Sequence, residues 1–153
     1  MTFSINKSIS ILERTPFVLD QLLRDLPDEW VLSNEGEETW SPYDIVGHLI
    51  HGEQSDWITR LEIILADSGD KKFTSFDRFA HFLESKGKTM SELIEEFKSL
   101  REKNIGILKS KKITEKDFDR IGIHPDFGNV TLKNLIATWA VHDLDHLAQL
   151  TRV

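Results

Sequence analysis

Residues 131–153, TLKNLIATWAVHDLDHLAQLTRV, carry the clearest helical pattern in the chain. One set of side chains recurs every seven residues, and a second set follows it by three residues: Leu132, Trp139, His146 and Val153, then Leu135, His142 and Gln149. Such a heptad pattern is typical of a helix whose stripe of side chains faces the core of a bundle. Thr131 provides the N-terminal cap. This stretch therefore predicts a long final helix that packs against other helices.

Three further segments carry apolar residues at helical spacing. The first covers residues 5–26 and contains Pro16, which we expect to kink the helix or to start a new one. The second, residues 41–66, and the third, residues 89–108, both begin with capping signals. Four long helices predict an all-α protein with the architecture of a four-helix bundle.

Two connections are longer than simple turns. Residues 67–88 contain four phenylalanines at intervals of three, namely Phe73, Phe76, Phe79 and Phe82. This spacing predicts a short helix that lays an aromatic face on the bundle, and the connection acts either as a lid or as a packed crossover. Residues 113–130 form the second connection, which leads to the last helix.

Length and composition exclude several classes of protein. A chain of 153 residues suits a single domain, here residues 1–153. The net charge of -7 argues against nucleic acid or an anionic membrane as a partner. Because there is no cysteine, thiolate metal ligands and a catalytic cysteine are excluded. The N-terminus does not resemble a signal peptide and no apolar run reaches the length of a membrane span, so we expect a cytoplasmic protein.

The six histidines are the main candidates for chemistry. His142 and His146 lie one turn apart on the stripe that faces the core, and His48 lies among apolar residues of the second helix. Facing helices of a bundle can combine such residues into one mononuclear metal site with an open coordination position. The alternative is a set of neutral core histidines without metal. His51 is expected at an edge of the bundle and His81 at the surface.

Acidic residues accompany the histidine pair. A metal-bound histidine usually donates its second ring N–H to a carboxylate or carbonyl, and Asp145 is the better placed partner for His142. Asp143 and Asp145 are equally compatible with solvated charges at the edge of the stripe. His124 precedes Pro125 and either hangs over the metal site or closes a turn, with the turn slightly favoured.

Charged residues elsewhere give two further candidates. Asp77 and Arg78 lie in the aromatic connection, where they either bind a substrate carboxylate or form a structural ion pair. Asp56 and Arg60 are four residues apart on the second helix and predict an intrahelical ion pair. No residue is assigned a catalytic role from these patterns.

Four stretches together resemble the DinB-like superfamily, in particular its YfiT-type group of metalloenzymes. They are LERTPFVLDQLLRDLPDEW, WSPYDIVGHLIHGEQSDWITR, FDRF and HPDFGNVTLKNLIATWAVHDLDHLAQLTR, which cover most of residues 12–152. The combination of GHL with HDLDH in this order is the specific part. Chains of this family usually continue the last helix beyond the seven residues that follow His146 here, and we expect this to affect the packing of that helix.

The resemblance implies an up-down-down-up four-helix bundle that binds one divalent metal, commonly Zn or Ni, through His48, His142 and His146. It also implies a homodimer and, in some relatives, transfer of a low-molecular-weight thiol such as bacillithiol, mycothiol or glutathione to an electrophilic small molecule. Our leading hypothesis is such a metal-dependent S-transferase. A metal-dependent hydrolase and a non-enzymatic bundle stabilised by metal are the alternatives.

Overall fold

The long helices begin where the sequence provides caps. The computed structural model describes residues 2–153. Its helices are α1 (Ile5–Leu23), α2 (Asp28–Val31), α3 (Pro42–Ser55), α4 (Trp57–Leu65), α5 (His81–Glu84), α6 (Met90–Ser110) and α7 (Leu132–Leu150). Side chains of Ser41, Thr89 and Thr131 each accept a hydrogen bond from the first turn of α3, α6 and α7, as predicted.

Helices α1, α3–α4, α6 and α7 form a four-helix bundle, which confirms the predicted fold. Contacts along their lengths give the directions of the helices. Helix α6 runs parallel to α3–α4, because Glu53 pairs with Arg101 and Glu62 pairs with Lys111 further along both. Helix α1 runs antiparallel to α6, since Lys109 near the end of α6 contacts Glu13 in the first half of α1. The order is up-down-down-up. Within residues 2–153 no helix is long and apolar enough to cross a membrane.

The first two predicted helices have different outcomes. Of the two alternatives for Pro16, a new helix does not begin there, and α1 remains one helix from Ile5 to Leu23. The predicted second helix is instead broken at Asp56 into α3 and α4. Next to the break, the hydroxyl of Ser55 donates to the carbonyl oxygen of His51 at 2.7 Å. A hydroxyl that bonds back to the preceding turn is a known cause of helix bending.

Both connections differ from the prediction. The aromatic connection contains less helix than expected, and the second connection contains regular structure that was not expected. The aromatic connection forms only the single turn α5, and of its phenylalanines Phe73 is buried whereas Phe79 and Phe82 are exposed. The second connection contains an antiparallel hairpin, β1 (Ile121–His124) and β2 (Gly128–Thr131), which the sequence analysis missed. A further bridge joins Lys72 to Ile123, so the two connections support each other.

The interior consists of two apolar clusters separated by a polar layer. One cluster contains Trp57 and Trp139, and the other contains Phe97 and Leu150. Between them each long helix contributes a buried polar side chain, namely Thr15, Glu53, Arg101, Asn104 and Asp143. This layer crosses the whole bundle at the level of the histidines on α3 and α7.

Candidate metal centre

Three imidazole rings converge between α3 and α7. His48 Nε2 lies 3.1 Å from His142 Nε2, which lies 3.2 Å from His146 Nε2. The three ligand atoms are all within 4.8 Å of one another, and this is the metal-ligating group found within residues 2–153. Two histidines come from successive turns of α7 and the third comes from the facing helix. The structure thus brings together the three residues singled out in the sequence.

The donor set fits a divalent metal. Two imidazole nitrogens bound at about 2.0–2.1 Å to a tetrahedral zinc lie ~3.3 Å apart, close to both distances given above. Gln149 Oε1 lies 3.0 Å from His146 Nδ1 and accepts a hydrogen bond from its N–H, which leaves the Nε2 lone pair of His146 directed at the group. The Nδ1 atoms of His48 and His142 are buried and have no hydrogen-bond partner in the described chain.

Burial keeps the three rings neutral. Burial, together with the neighbouring histidines as the smaller cause, lowers the pKa of His48 from 6.5 to about 2. It likewise lowers the pKa of His142 to about 3, with His146 and Arg101 as further causes. The pKa of His146 is also lowered by burial. Neutral imidazoles have free lone pairs, so the site is in the protonation state that metal binding needs.

Aromatic rings surround the three histidines. Trp40 lies 4.8 Å from the ring of His48 and stacks on His146 at 6.4 Å. The ring of Trp57 stacks on that of Trp139, with centroids 5.8 Å apart. It also contacts the ring of His142 in a T-shaped arrangement, with centroids 5.2 Å apart. These contacts fix the ring planes from both sides and leave the Nε2 atoms at a cleft.

The cleft has a volume of about 530 Å³ and contains all three histidines in its lining. The rest of the lining is Trp40, Gly52, Asp56, Trp57, Arg60, Ser75, Phe76, Arg78, His124 and Asp126. A somewhat larger groove of about 610 Å³ lies between α1 and α6 and contains no histidine. A small molecule that enters the histidine cleft would therefore meet three imidazole nitrogens, aromatic faces and two arginines.

The polar layer supports α7 just beside the histidines. Arg101 donates from both terminal nitrogens to Asp143, at 2.5 and 2.9 Å, and from Nη2 to Glu53 Oε1 at 2.8 Å. The hydroxyl of Thr15 donates to Asp143 Oδ2 at 2.5 Å. Burial alone would lower the pKa of Arg101, but the carboxylates of Glu53 and Asp143 outweigh it and the pKa is raised. The guanidinium is therefore a permanent cation in the core.

Two more side chains donate hydrogen bonds to the carboxylate of Glu53. Trp139 Nε1 donates to Glu53 Oε1 at 2.9 Å, and Asn104 Nδ2 donates to Glu53 Oε2 at 2.9 Å. This polar layer was not predicted from the sequence. A signal was present, since Arg101 occupies a core position of α6 in the series Ile94, Phe97, Arg101 and Leu108. A cation at such a position requires buried carboxylates on the facing helices.

The structure places two of the other pocket candidates, His124 and Arg78, in the cleft wall. His124 closes the hairpin turn, because its Nδ1 accepts hydrogen bonds from the backbone N–H groups of Asp126 and Phe127 at 3.0 and 3.3 Å. Since Nδ1 accepts, the proton of the neutral ring is on Nε2. Burial lowers the pKa of His124, and the nearby charge of Arg60 is the second cause. Arg78 also lines the cleft.

Asp56 and Arg60 form the predicted ion pair, with Nε 2.6 Å from Oδ1. Both residues are buried and line the cleft, whereas a solvated pair on the helix surface would be exposed. Burial raises the pKa of Asp56, and the charge of Arg60 opposes this shift.

The two remaining pocket candidates lie outside the lining of the cleft. Asp145 is exposed and makes no hydrogen bond to His142, because it points away from the stripe that faces the core. Asp77 is also exposed, and its Oδ1 accepts a hydrogen bond from the backbone N–H of Phe79 at 3.0 Å. It therefore shapes the local turn, and among residues 2–153 it forms no ion pair with Arg78.

Three placements expected from the sequence were wrong. His81 is completely buried between Trp40 and Phe82, with ring centroids 4.8 and 4.2 Å away, because α5 folds back onto α3. His51 is buried as well, and its Nδ1 lies 2.9 Å from Glu84 Oε2. Asp143 is no solvated edge charge but part of the polar layer.

Comparisons with known proteins agree with this architecture. A family model described as the DinB superfamily matches residues 11–150. YfiT from Bacillus subtilis, described as a probable metal-dependent hydrolase with an unusual four-helix bundle topology, has a TM-score of 0.80. Its sequence is 22% identical, and the match covers 96% of this chain and 83% of YfiT.

A second solved structure, the four-helix bundle protein TT2238, has a TM-score of 0.61 at 17% identity, over 98% of this chain and 100% of TT2238. No curated protein matches the sequence significantly. The two structural likenesses show the fold. Because the family model covers most of the sequence, the chain belongs to the DinB superfamily.

Proposed function

We propose that this protein is an enzyme that uses one divalent metal, zinc or nickel, held by His48, His142 and His146. The observation that carries the proposal is the convergence of three neutral Nε2 atoms at an open cleft rather than inside a closed core. Three protein ligands with an accessible further position are typical of catalytic sites, whereas structural zinc sites have four protein ligands.

The reaction we propose is transfer of a small thiol to an electrophilic small molecule. A divalent metal supplies a nucleophile near neutral pH by lowering the pKa of a bound thiol or water. The chain has no cysteine, so the thiol must arrive as a separate molecule. Low-molecular-weight thiols such as bacillithiol, mycothiol or glutathione are the candidates.

Metal-dependent hydrolysis is the second candidate function, supported by the likeness to YfiT. Hydrolysis requires more help with proton transfer than thiol transfer does, and the lining of the cleft provides little of it. Of the carboxylates in its lining, Asp56 is bound to Arg60 and Asp126 is largely exposed to solvent. A thiol ionises more easily than water and depends less on a general base.

The protein's own residues orient what enters the cleft. Trp40 and Phe76 pack against the ring of His48, at 4.8 and 5.4 Å, and present apolar surface to a bound molecule. Gly52 contributes no side chain, which keeps the cleft open beside Trp57. These walls exclude water from one side of the histidines and suit an organic substrate.

We further propose a homodimer in the cytoplasm. Helices α1 and α7 lie side by side and expose apolar side chains at Val18, Val141 and Leu144, which supports association through this face. Light scattering on the purified protein measures the mass, and a monomeric mass at micromolar concentration would contradict the dimer.

Metal content is the first test. Protein prepared without a histidine tag should bind close to one zinc or nickel ion per chain, as measured by elemental analysis after dialysis. His142→Gln removes a ligand nitrogen while keeping a similar side-chain length, and we expect it to abolish this stoichiometry. His51→Asn is the matched control, because it alters a buried histidine of α3 that does not belong to the group.

Activity is tested separately on the metal-loaded protein. We expect consumption of a small thiol together with an electrophile, lost in H142Q and retained in H51N. Ester or amide hydrolysis without thiol consumption would instead establish the second candidate function. A metal stoichiometry near zero, or full occupancy in H142Q, would contradict the metal site itself.

A further inference from the structure

Arg60 has an unusual position for an arginine at a cleft. Its side chain is 9% exposed and its Nε is bound to Asp56 Oδ1, while its guanidinium lies over the ring of Phe73 at 5.1 Å. The outer edge of the Arg60 guanidinium makes almost no hydrogen bonds. Nη2 makes one long contact of 3.5 Å, to the carbonyl oxygen of Thr74, and within the described chain Nη1 bonds to nothing. The guanidinium is thus held rigidly with free N–H groups in the cleft wall.

Arg78 is the second cation of the same cleft, and it approaches from the aromatic connection. Its guanidinium lies 5.8 Å from the ring of Trp40 and 5.4 Å from that of Phe79. Nowhere in residues 2–153 does it meet a carboxylate within ion-pair distance, although most other arginines of the chain are paired. Since Trp40 also contacts His48 and His146, Arg78 lies one aromatic ring away from the histidine group.

We propose that Arg60 and Arg78 form an anion-binding subsite that selects substrates or thiols bearing carboxylate groups. This inference deepens the proposed function, because it assigns a chemical class to the molecule that occupies the cleft. Free guanidinium edges match the two oxygens of a carboxylate, and their stacking on aromatic rings leaves those edges available.

The charges in the lining support an anion rather than a cation. Asp56 is already neutralised by Arg60, and the carboxylate of Asp126 is 79% exposed at the rim. The uncompensated cation of the lining is therefore Arg78, which is exposed and is separated by the ring of Trp40 from the three histidines that fit a divalent metal. A molecule with its reactive group at the histidines and a carboxylate elsewhere in its structure would meet both features of the cleft.

Succinate is the probe for this subsite, and its neutral diamide, succinamide, is the control ligand. Binding is measured by titration calorimetry on the metal-free and on the zinc-loaded protein. We expect succinate to bind both forms and succinamide to bind neither. Arg78→Met should weaken succinate binding on the order of tenfold in both forms, because one charge-assisted pair is lost. Arg14→Met, the same change at an exposed arginine of α1, should have no effect.

Arg60 is tested with Arg60→Lys, since lysine keeps the charge beside Asp56 and the fold is monitored by circular dichroism. We expect weaker binding, because an ammonium group has no planar fork. Succinate affinity that is unchanged in R78M and R60K would overturn the subsite, and so would binding seen only with zinc and insensitive to both variants. The zinc content of each variant is measured independently, so loss of the metal site is distinguished from loss of the anion subsite.

Discussion

Arg101→Met should be the most destabilising single change in the polar layer. The guanidinium makes four hydrogen bonds, two to Asp143, one to Glu53 and one to the carbonyl oxygen of Leu12 at 2.9 Å. Both carboxylates are fully buried, with side chains 0% exposed. Methionine fills a similar volume but leaves these charges without a counter-ion. Breaking a buried ion pair in this way costs about 3–5 kcal/mol.

That loss is large relative to the free energy of unfolding of a typical domain, ~5–15 kcal/mol. For a chain of this length it corresponds to a decrease in Tm on the order of 10 °C. Urea denaturation of the metal-free protein, followed by circular dichroism at 222 nm, measures the change directly. Lys109→Met is the matched control, because Lys109 pairs with Glu13 at the surface, where both side chains are about half exposed. We expect that variant to unfold at nearly the same urea concentration as the wild type.

A further variant identifies the cause of the loss. Combining R101M with Glu53→Gln and Asp143→Asn removes the unpaired charges and should recover part of the stability, although the four hydrogen bonds donated by Arg101 are still lost. If R101M cost no more than the change at Lys109, the reasoning that the layer is held by a buried cation would be refuted. The same conclusion would follow if the triple variant were less stable than R101M alone.

Two further predictions concern pH and packing. Because the native pKa values of His48 and His142, about 2 and about 3, lie below the unfolded value of 6.5, protons bind the unfolded chain first as the pH falls. The metal-free protein should therefore lose about 1 kcal/mol per histidine between pH 6.5 and 5.5, and replacing both by Gln should flatten this dependence. At Gly122 a Cβ would lie 2.3 Å from the ring of Phe73, so G122A should destabilise the hairpin by about 1–3 kcal/mol. G106A, at an open helical position, should not lower the urea midpoint.

The predictable parts of the fold have local causes. Caps at Ser41, Thr89 and Thr131 bond to the first turn of their own helices, so four residues of sequence suffice to place each start. The pairing of His142 with His146 also follows from spacing on one helix. His48 was predictable because it lies on an apolar stretch of another helix, and two core-facing stripes of a bundle must meet.

The parts that were missed depend on contacts between distant segments. His81 was expected at the surface, yet α5 packs it against Trp40 and α3. The hairpin is stabilised partly by Lys72, about fifty residues earlier in the chain. From the sequence, Arg60 is predicted only as an intrahelical partner of Asp56. That the outer edge of its guanidinium lies in the cleft is apparent only from the folded structure. No pattern within one segment contains this information.

Pro16 illustrates how such distant contacts shape the metal centre. A proline within a helix has no N–H, and this leaves the carbonyl oxygen of Leu12, four residues earlier, without its usual donor. Arg101 supplies that donor and at the same time holds Asp143, which directly follows His142. Through one guanidinium, α1 and α6 thus fix the rotation of α7 and with it the direction of the imidazole. The geometry of the three histidines is therefore set largely by residues outside the three-histidine group.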